Sequence, residues 1–117
     1  MPRSAAAYLS DIVEACNAVE EVLRGVSLAD YLDARAIRSA VEREFITIGE
    51  AVKVLSRVAP DVYEGISEAR LIVGLRNVLT HDYAAVDDES VFGLANEELG
   101  VLRSECAALL ERFGAAD

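Results

Sequence analysis

Residues 34–60 read ARAIRSAVEREFITIGEAVKVLSRVAP, and their spacing decides the fold class. Ile37, Val41, Phe45, Ile48, Val52 and Leu55 recur at steps of three and four, the repeat of one helix face. Asp33 stands where an N-cap belongs, so the spacing predicts a helix from Ala34 to Val58. Pro60 ends it, because proline lacks an N–H and restricts the residue before it. Gly49 interrupts the run. A glycine inside a helix costs up to about 1 kcal/mol relative to alanine. The compensation expected there is close approach of another helix.

The same reading extends in both directions. Ser4 caps a first helix, Ala5 to Arg24, with Gly25 as its stop and Tyr8, Ile12, Ala15, Val19 and Leu23 as its apolar positions. Ser27 to Asp33 is a connector with one short helical turn. Ser67 caps a third helix that runs from Glu68 to Thr80 or Asp82. After a turn at Ala84–Asp87, a fourth helix starts at Asp87 or Asp88 and runs to Phe113, closed by Gly114. Four helices with short connections predict an all-α, up-and-down four-helix bundle, with a short extra helix at the connector.

Composition agrees. The 117 residues fit one domain, 1–117, and 53% are hydrophobic. Two prolines and 6% aromatics argue against a sandwich or barrel. Eleven basic against 21 acidic residues give a net charge of −10, which opposes non-specific nucleic-acid binding but leaves room for a local basic site. Cys16 and Cys106 lack CxxC spacing and read as buried thiols in a reducing compartment. The opening residues Met1-Pro2-Arg3-Ser4 lead into no long apolar run, and no stretch approaches a membrane span. The expectation is a cytoplasmic protein without a membrane anchor. One histidine excludes a His-rich zinc site and the paired Glu-x-x-His motifs of a di-iron bundle, and no Walker loop or GxGxxG is present. No metal or cofactor is implied.

Chemistry concentrates in Gly74-Leu75-Arg76-Asn77-Val78-Leu79-Thr80-His81-Asp82-Tyr83. With Arg76 at zero and about 100° per residue, Thr80 falls near 40°, Asn77 near 100° and His81 near 140°. Tyr83 returns to about −20° if the helix persists that far. Leu71, Ile72, Leu75, Val78 and Leu79 occupy the other side. Arg offers a planar fork matched to phosphate oxygens. His moves a proton near neutral pH, and Tyr donates, accepts or stacks. Together they suit metal-free phosphodiester cleavage, with His81 deprotonating a ribose 2′-OH and Arg76 stabilising charge on phosphorus.

A structural reading stands beside this one. A lone His at a helix C-terminus partners the last carbonyls, Arg76 can be salt-bridged, and Tyr83 can be core. Arg35, Arg38, Arg43, Lys53 and Arg57 form either a phosphate-binding strip or, more simply, a solvated face that offsets Glu42, Glu44 and Glu50. The acids of residues 82–98 read as capping and solubility, not as metal ligands.

The block Arg76-x4-His81-x-Tyr83, with Asn77 after the Arg, resembles the Arg-x4–6-His motif of the HEPN superfamily, and in particular the HepT toxins, whose motif carries the extra Tyr. Ala40-Val41-Glu42-Arg43-Glu44-Phe45-Ile46-Thr47-Ile48-Gly49-Glu50-Ala51 is similar to the family's second helix, and Tyr8-Leu9-Ser10-Asp11-Ile12 to its opening. The resemblance implies a helical homodimer with the motif near its cleft, acting as a metal-independent endoribonuclease toxin on RNA. It implies a partner, a nucleotidyltransferase antitoxin of the MntA type, that transfers AMP from ATP to the motif tyrosine. Carried over by residue, Arg76 and His81 are the catalytic pair, Asn77 and Thr80 are supporting groups, and Tyr83 is the modified residue. A dimer also fits the chemistry, since cleavage profits from a base and an acid while each chain has one His. The alternative is a non-catalytic HEPN-type module that binds a nucleotide or a nucleotidyltransferase with the same residues.

Overall fold

Ser4 accepts a hydrogen bond from the Ala7 N–H (3.1 Å) and opens α1, Ala5–Leu23. The computed structural model describes residues 3–114. Met1, Pro2 and residues 115–117, which belong to the expected domain 1–117, lie outside the described residues. Gly25 stops α1 with φ +73°, a left-handed conformation that residues with a Cβ rarely adopt. Ser27 and Asp30 then form a reciprocal capping box on α2, Leu28–Asp33. The remaining helices are α3 Arg35–Val58, α4 Pro60–Glu64, α5 Ala69–His81, α6 Asp88–Glu97 and α7 Leu99–Phe113, with a 3-10 turn at Tyr83–Ala85.

The chain is all-α as expected, but it is not a simple four-helix bundle. Seven α-helices stand among the described residues. Pro60 does more than end α3: it occupies the first turn of α4, where its missing N–H costs nothing. The expected fourth helix breaks at Glu98 because its halves serve different partners. The first half, α6, packs toward α2, where the Tyr31 and Phe92 rings lie 5.1 Å apart, whereas α7 packs on α1. Periodicity runs unbroken from Val91 to Leu109, so the break has a tertiary origin. Two caps also differ. Asp33 closes α2, leaving Ala34 as the N-cap of α3, without a side-chain cap bond. The Ser67 N–H donates to Glu105 Oε1 (3.2 Å), and α5 starts after Glu68.

Across the molecule the long helices lie in the order α7, α1, α3, α5, each packed on the next. The core sits between them. Leu9, Ile12 and Val19 of α1 meet Val41, Phe45, Ile48, Val52 and Leu55 of α3 and Leu102, Cys106 and Leu109 of α7 in one buried cluster. All six residues of the expected α3 stripe contribute, five fully buried and Ile37 at its margin. Helix α5 leans mainly on α3 and leaves Leu71 44% exposed on its far side. Among the described residues, no helix is long and apolar enough to cross a membrane.

Candidate functional site

Gly49 fixes where α5 crosses α3. A Cβ at this position would lie 2.2 Å from Arg76 Cβ, 2.8 Å from Arg76 Cγ and 3.3 Å from the Ile72 carbonyl oxygen. The glycine therefore admits the stem of Arg76 directly against the α3 backbone, the close approach its position calls for. Ala69, Ile72 and Leu79 bury on the same side of α5. Arg76 thus stands within the seam and not on a polar face opposite it. The row that meets α3 passes through Arg76, because the glycine leaves room there.

From that seat the guanidinium reaches outward with 17% of the side chain exposed. Nη1 donates to Asn77 Oδ1 (3.0 Å), and Nη2 faces Glu50 Oε1 at 3.5 Å. Nε is buried without a partner. Of five donors, two are engaged, one of them by a long contact to an exposed carboxylate. Thr80 spends its hydroxyl on the Arg76 carbonyl (2.9 Å), back-bonding within the helix. His81 is the last residue of α5 and exposed, and its imidazole has no hydrogen bond or ion pair among the described residues. Because α5 remains helical to His81, the imidazole projects about 140° around the helix from Arg76. Among the described residues no hydrogen bond joins the two side chains.

Tyr83 lies past the end of α5. The helix ends at His81, and Asp82 turns the backbone to φ −145° and ψ 55°, so the continued-helix angle does not apply. The 3-10 turn instead carries the ring to α3, where the phenol donates to Glu42 Oε1 at 3.0 Å while the residue remains 59% exposed.

Glu42 is the residue sequence reading missed. Its charge suggests the solvated face of α3, yet it is 6% exposed. A signal exists: positions 42, 45, 49 and 52 form one helical row with Phe45, Gly49 and Val52. Burial pushes its carboxyl above the ordinary glutamate range, with Asp88 adding to the rise, while the Tyr83 bond and Arg38 oppose it. The Tyr83 phenol is in turn raised, chiefly by its bond to Glu42. Burial raises the Tyr31 phenol beside them, and its oxygen, like Glu42 Oε2, is buried without a partner. Arg38 serves this cluster instead of a phosphate strip: it donates to the Leu32 carbonyl (2.6 Å) and the Tyr31 carbonyl (3.3 Å) and pairs with Asp88 (3.6 Å). Arg35, Arg43, Lys53 and Arg57 are solvent-facing. Asp87 caps α6 by accepting from the Glu89 N–H (3.2 Å), as the acidic run predicts.

A cavity of about 380 Å³, lined by Cys16, Arg24, Asn96 and Arg103 among others, lies between α1 and the α6–α7 junction, and no motif residue lines it. Among the described residues, no group of three or more His, Cys, Asp or Glu is placed to hold a metal ion.

Comparison with known proteins adds a family. A family model described as Ribonuclease HepT-like matches residues 12–109. The probable ribonuclease HepT of Thermococcus cleftensis is 30% identical over 109 residues, covering 90% of this chain and 94% of that one. Two candidate RNases of Methanocaldococcus jannaschii are each 28% identical, one over 103 residues (88% of this chain, 94% of the relative) and one over 115 residues (98% and 94%). No solved structure matches significantly.

Proposed function

We propose that this chain, which belongs to the HepT-like ribonuclease family, is a metal-independent endoribonuclease toxin whose reaction is carried by Arg76 and His81. His81 takes the proton of a ribose 2′-OH, the freed oxygen attacks the adjacent phosphorus, and Arg76 stabilises the charge that develops there. The observation that carries this reading is the seat of Arg76. Its stem is fixed on Gly49, and most of its donors remain uncommitted. Preorganisation of that kind is what a charge-stabilising group needs. Asn77 holds the fork in plane, and Thr80 ties the Arg76 carbonyl.

The remaining requirement is a proton for the departing 5′-oxygen. We assign it to a second copy of the chain. Leu71, Leu75 and Val78 form an incompletely covered apolar strip beside His81 on α5. A two-fold axis there would bury that strip and set each His81 near the other copy's motif. Residues 1–117 act as one domain in the cytoplasm, on RNA. An antitoxin of the MntA nucleotidyltransferase type silences them by AMP transfer to Tyr83, the exposed phenol two residues past His81.

A second reading draws support from the 140° that separates the two side chains. A non-catalytic module would use Arg76 to bind nucleotide phosphate or a nucleotidyltransferase without cutting. Purified protein and its variants on total RNA separate the two. His81→Ala should lose ~10²–10⁴ in cleavage rate and Arg76→Ala ~10²–10³, with helical circular dichroism unchanged and EDTA without effect. Equal cleavage by wild type and His81→Ala, or none by wild type, favours the module.

A further inference from the structure

A buried carboxylate with no cation is an anomaly that the ribonuclease reaction does not use. Burying a charged group is costly unless it is paired. Among the described residues Glu42 forms no ion pair, and Arg38, the cation that influences it, is committed to two carbonyls and Asp88. What Glu42 holds is the Tyr83 phenol at 3.0 Å. Among the described residues, Tyr83 is also the one tyrosine whose hydroxyl donates to a carboxylate. Tyr31 keeps its oxygen buried without a partner, and Tyr8 lies under the Arg3 guanidinium at 4.8 Å.

The geometry points to Glu42 as the proton acceptor for Tyr83 when that phenol takes a nucleotidyl group, an assignment that rests on Tyr83 being the acceptor as proposed above. With its O–H directed into Glu42, the phenol presents a lone pair outward from a ring that is 59% exposed. That lone pair attacks the α-phosphorus of ATP. The Oη–P bond forms, and the bond from the α-phosphorus to its bridging oxygen breaks. Pyrophosphate leaves with that electron pair, its charge met by magnesium on the transferase. The phenolic proton passes to Glu42 Oε1. Phenolate never has to exist free, which suits a phenol held in its protonated form. The carboxyl ends neutral, the state that its burial favours. Afterwards Tyr83 has no hydrogen left to donate, so the bond to α3 is lost in its present direction while the nucleotide is attached.

Glutamine separates aiming from proton transfer, because its amide oxygen still accepts the phenol hydrogen bond but cannot take the proton. Wild type, Glu42→Gln, Glu42→Ala and Tyr83→Phe, each checked for native circular dichroism, are incubated with magnesium ATP and a purified MntA-type nucleotidyltransferase. Intact mass is followed with time from pH 5 to 9. Wild type should gain AMP at Tyr83, with a rate that climbs as Glu42 ionises and then levels. Asp88, Arg38 and Tyr31 also face Glu42 and set where that climb falls. Glu42→Gln should be slower by ~10²–10⁴ and lack the climb, and Tyr83→Phe should gain nothing. Glu42→Gln at the wild-type rate, with wild type modified at Tyr83, overturns the assignment alone. So does a normal Gln variant beside a dead Ala variant, since that pattern is aiming without proton transfer. A wild type that gains no AMP, or gains it elsewhere, overturns both this assignment and the Tyr83 reading.

Discussion

On the α1 side, α3 meets a neighbour through aliphatic side chains that are almost wholly shielded, Leu9, Ile12 and Val19 at 1% exposure or less. On the α5 side, the central contact is a glycine against the stem of an arginine, and the nearby turn is tied to α3 by a phenol on a buried carboxylate. The first flank gains from apolar area removed from water, roughly 25 cal/mol per Å². The second leaves Arg76 Nε and Glu42 Oε2 buried without partners, which costs stability. A chain that places such groups on one flank can do so because the other flank carries the fold. Stability and chemistry are thus divided between the two faces of one helix.

The sharpest way to break that division is to damage each face and measure both properties. Ile12→Ala empties a fully buried site on α1 and should cost about 2–5 kcal/mol in urea unfolding. At a temperature where the variant is still folded, cleavage per folded molecule should stay near wild type. Gly49→Ala should do the opposite. Its Cβ has no room beside Arg76 Cβ, and because that neighbour is a stem next to the backbone, α5 itself must shift. The stability loss should be smaller, about 1–3 kcal/mol for an overpacked contact, while cleavage collapses with displacement of the guanidinium. If Ile12→Ala removes cleavage as fully as Gly49→Ala at equal folded fraction, the two faces are not separable.

The same contrast accounts for what sequence could and could not reveal. The α3 stripe was legible because every member obeys one local period, and Gly49 was legible because a glycine breaks that period at a measurable cost. The helix break at Glu98 was not, since the apolar spacing continues across it and only the diverging partners, α2 and α1, force it. The starts of α3 and α5 defeated cap reading: Asp33 is the last residue of α2, and Ser67 lies one residue before the N-cap Glu68 with its N–H bonded to Glu105 of α7. Within the motif, Arg76 and His81 could be singled out by type. The seat of Arg76 in the seam could not: wheel angles place residues around one helix, and the side that meets α3 is set by where α3 has a gap. The bond from Tyr83 to Glu42 was not legible, because Asp82 turns the chain out of the helix and carries the ring to α3. Glu42 is hard to read because its charge predicts solvent while its place in the row of Phe45, Gly49 and Val52 buries it.

The smallest effect tests whether Glu42 belongs to the costly flank, and it is read in the pH dependence of stability. Burial raises its carboxyl in the folded chain above the value it has unfolded. The folded state therefore binds the proton more tightly than the unfolded state does. The resulting stabilisation is present in full below the unfolded pKa and is lost as pH rises through the folded one. Wild type should lose stability across the upper carboxylate range for this reason, on top of whatever other groups contribute. Glu42→Gln has no proton to lose there, so the difference between the two curves isolates Glu42 from the remaining acids. Tyr83→Phe sharpens the comparison. It removes the hydrogen bond that favours the carboxylate, so ionisation of Glu42 becomes costlier and the fall with pH should steepen. Urea unfolding at a series of pH values between 4 and 8 measures all three. Parallel curves for wild type and Glu42→Gln would mean that the carboxyl titrates alike folded and unfolded. The flank beside α5 would then carry its polar groups at no cost, and the division between the two faces of α3 would rest on Gly49 and Arg76 alone.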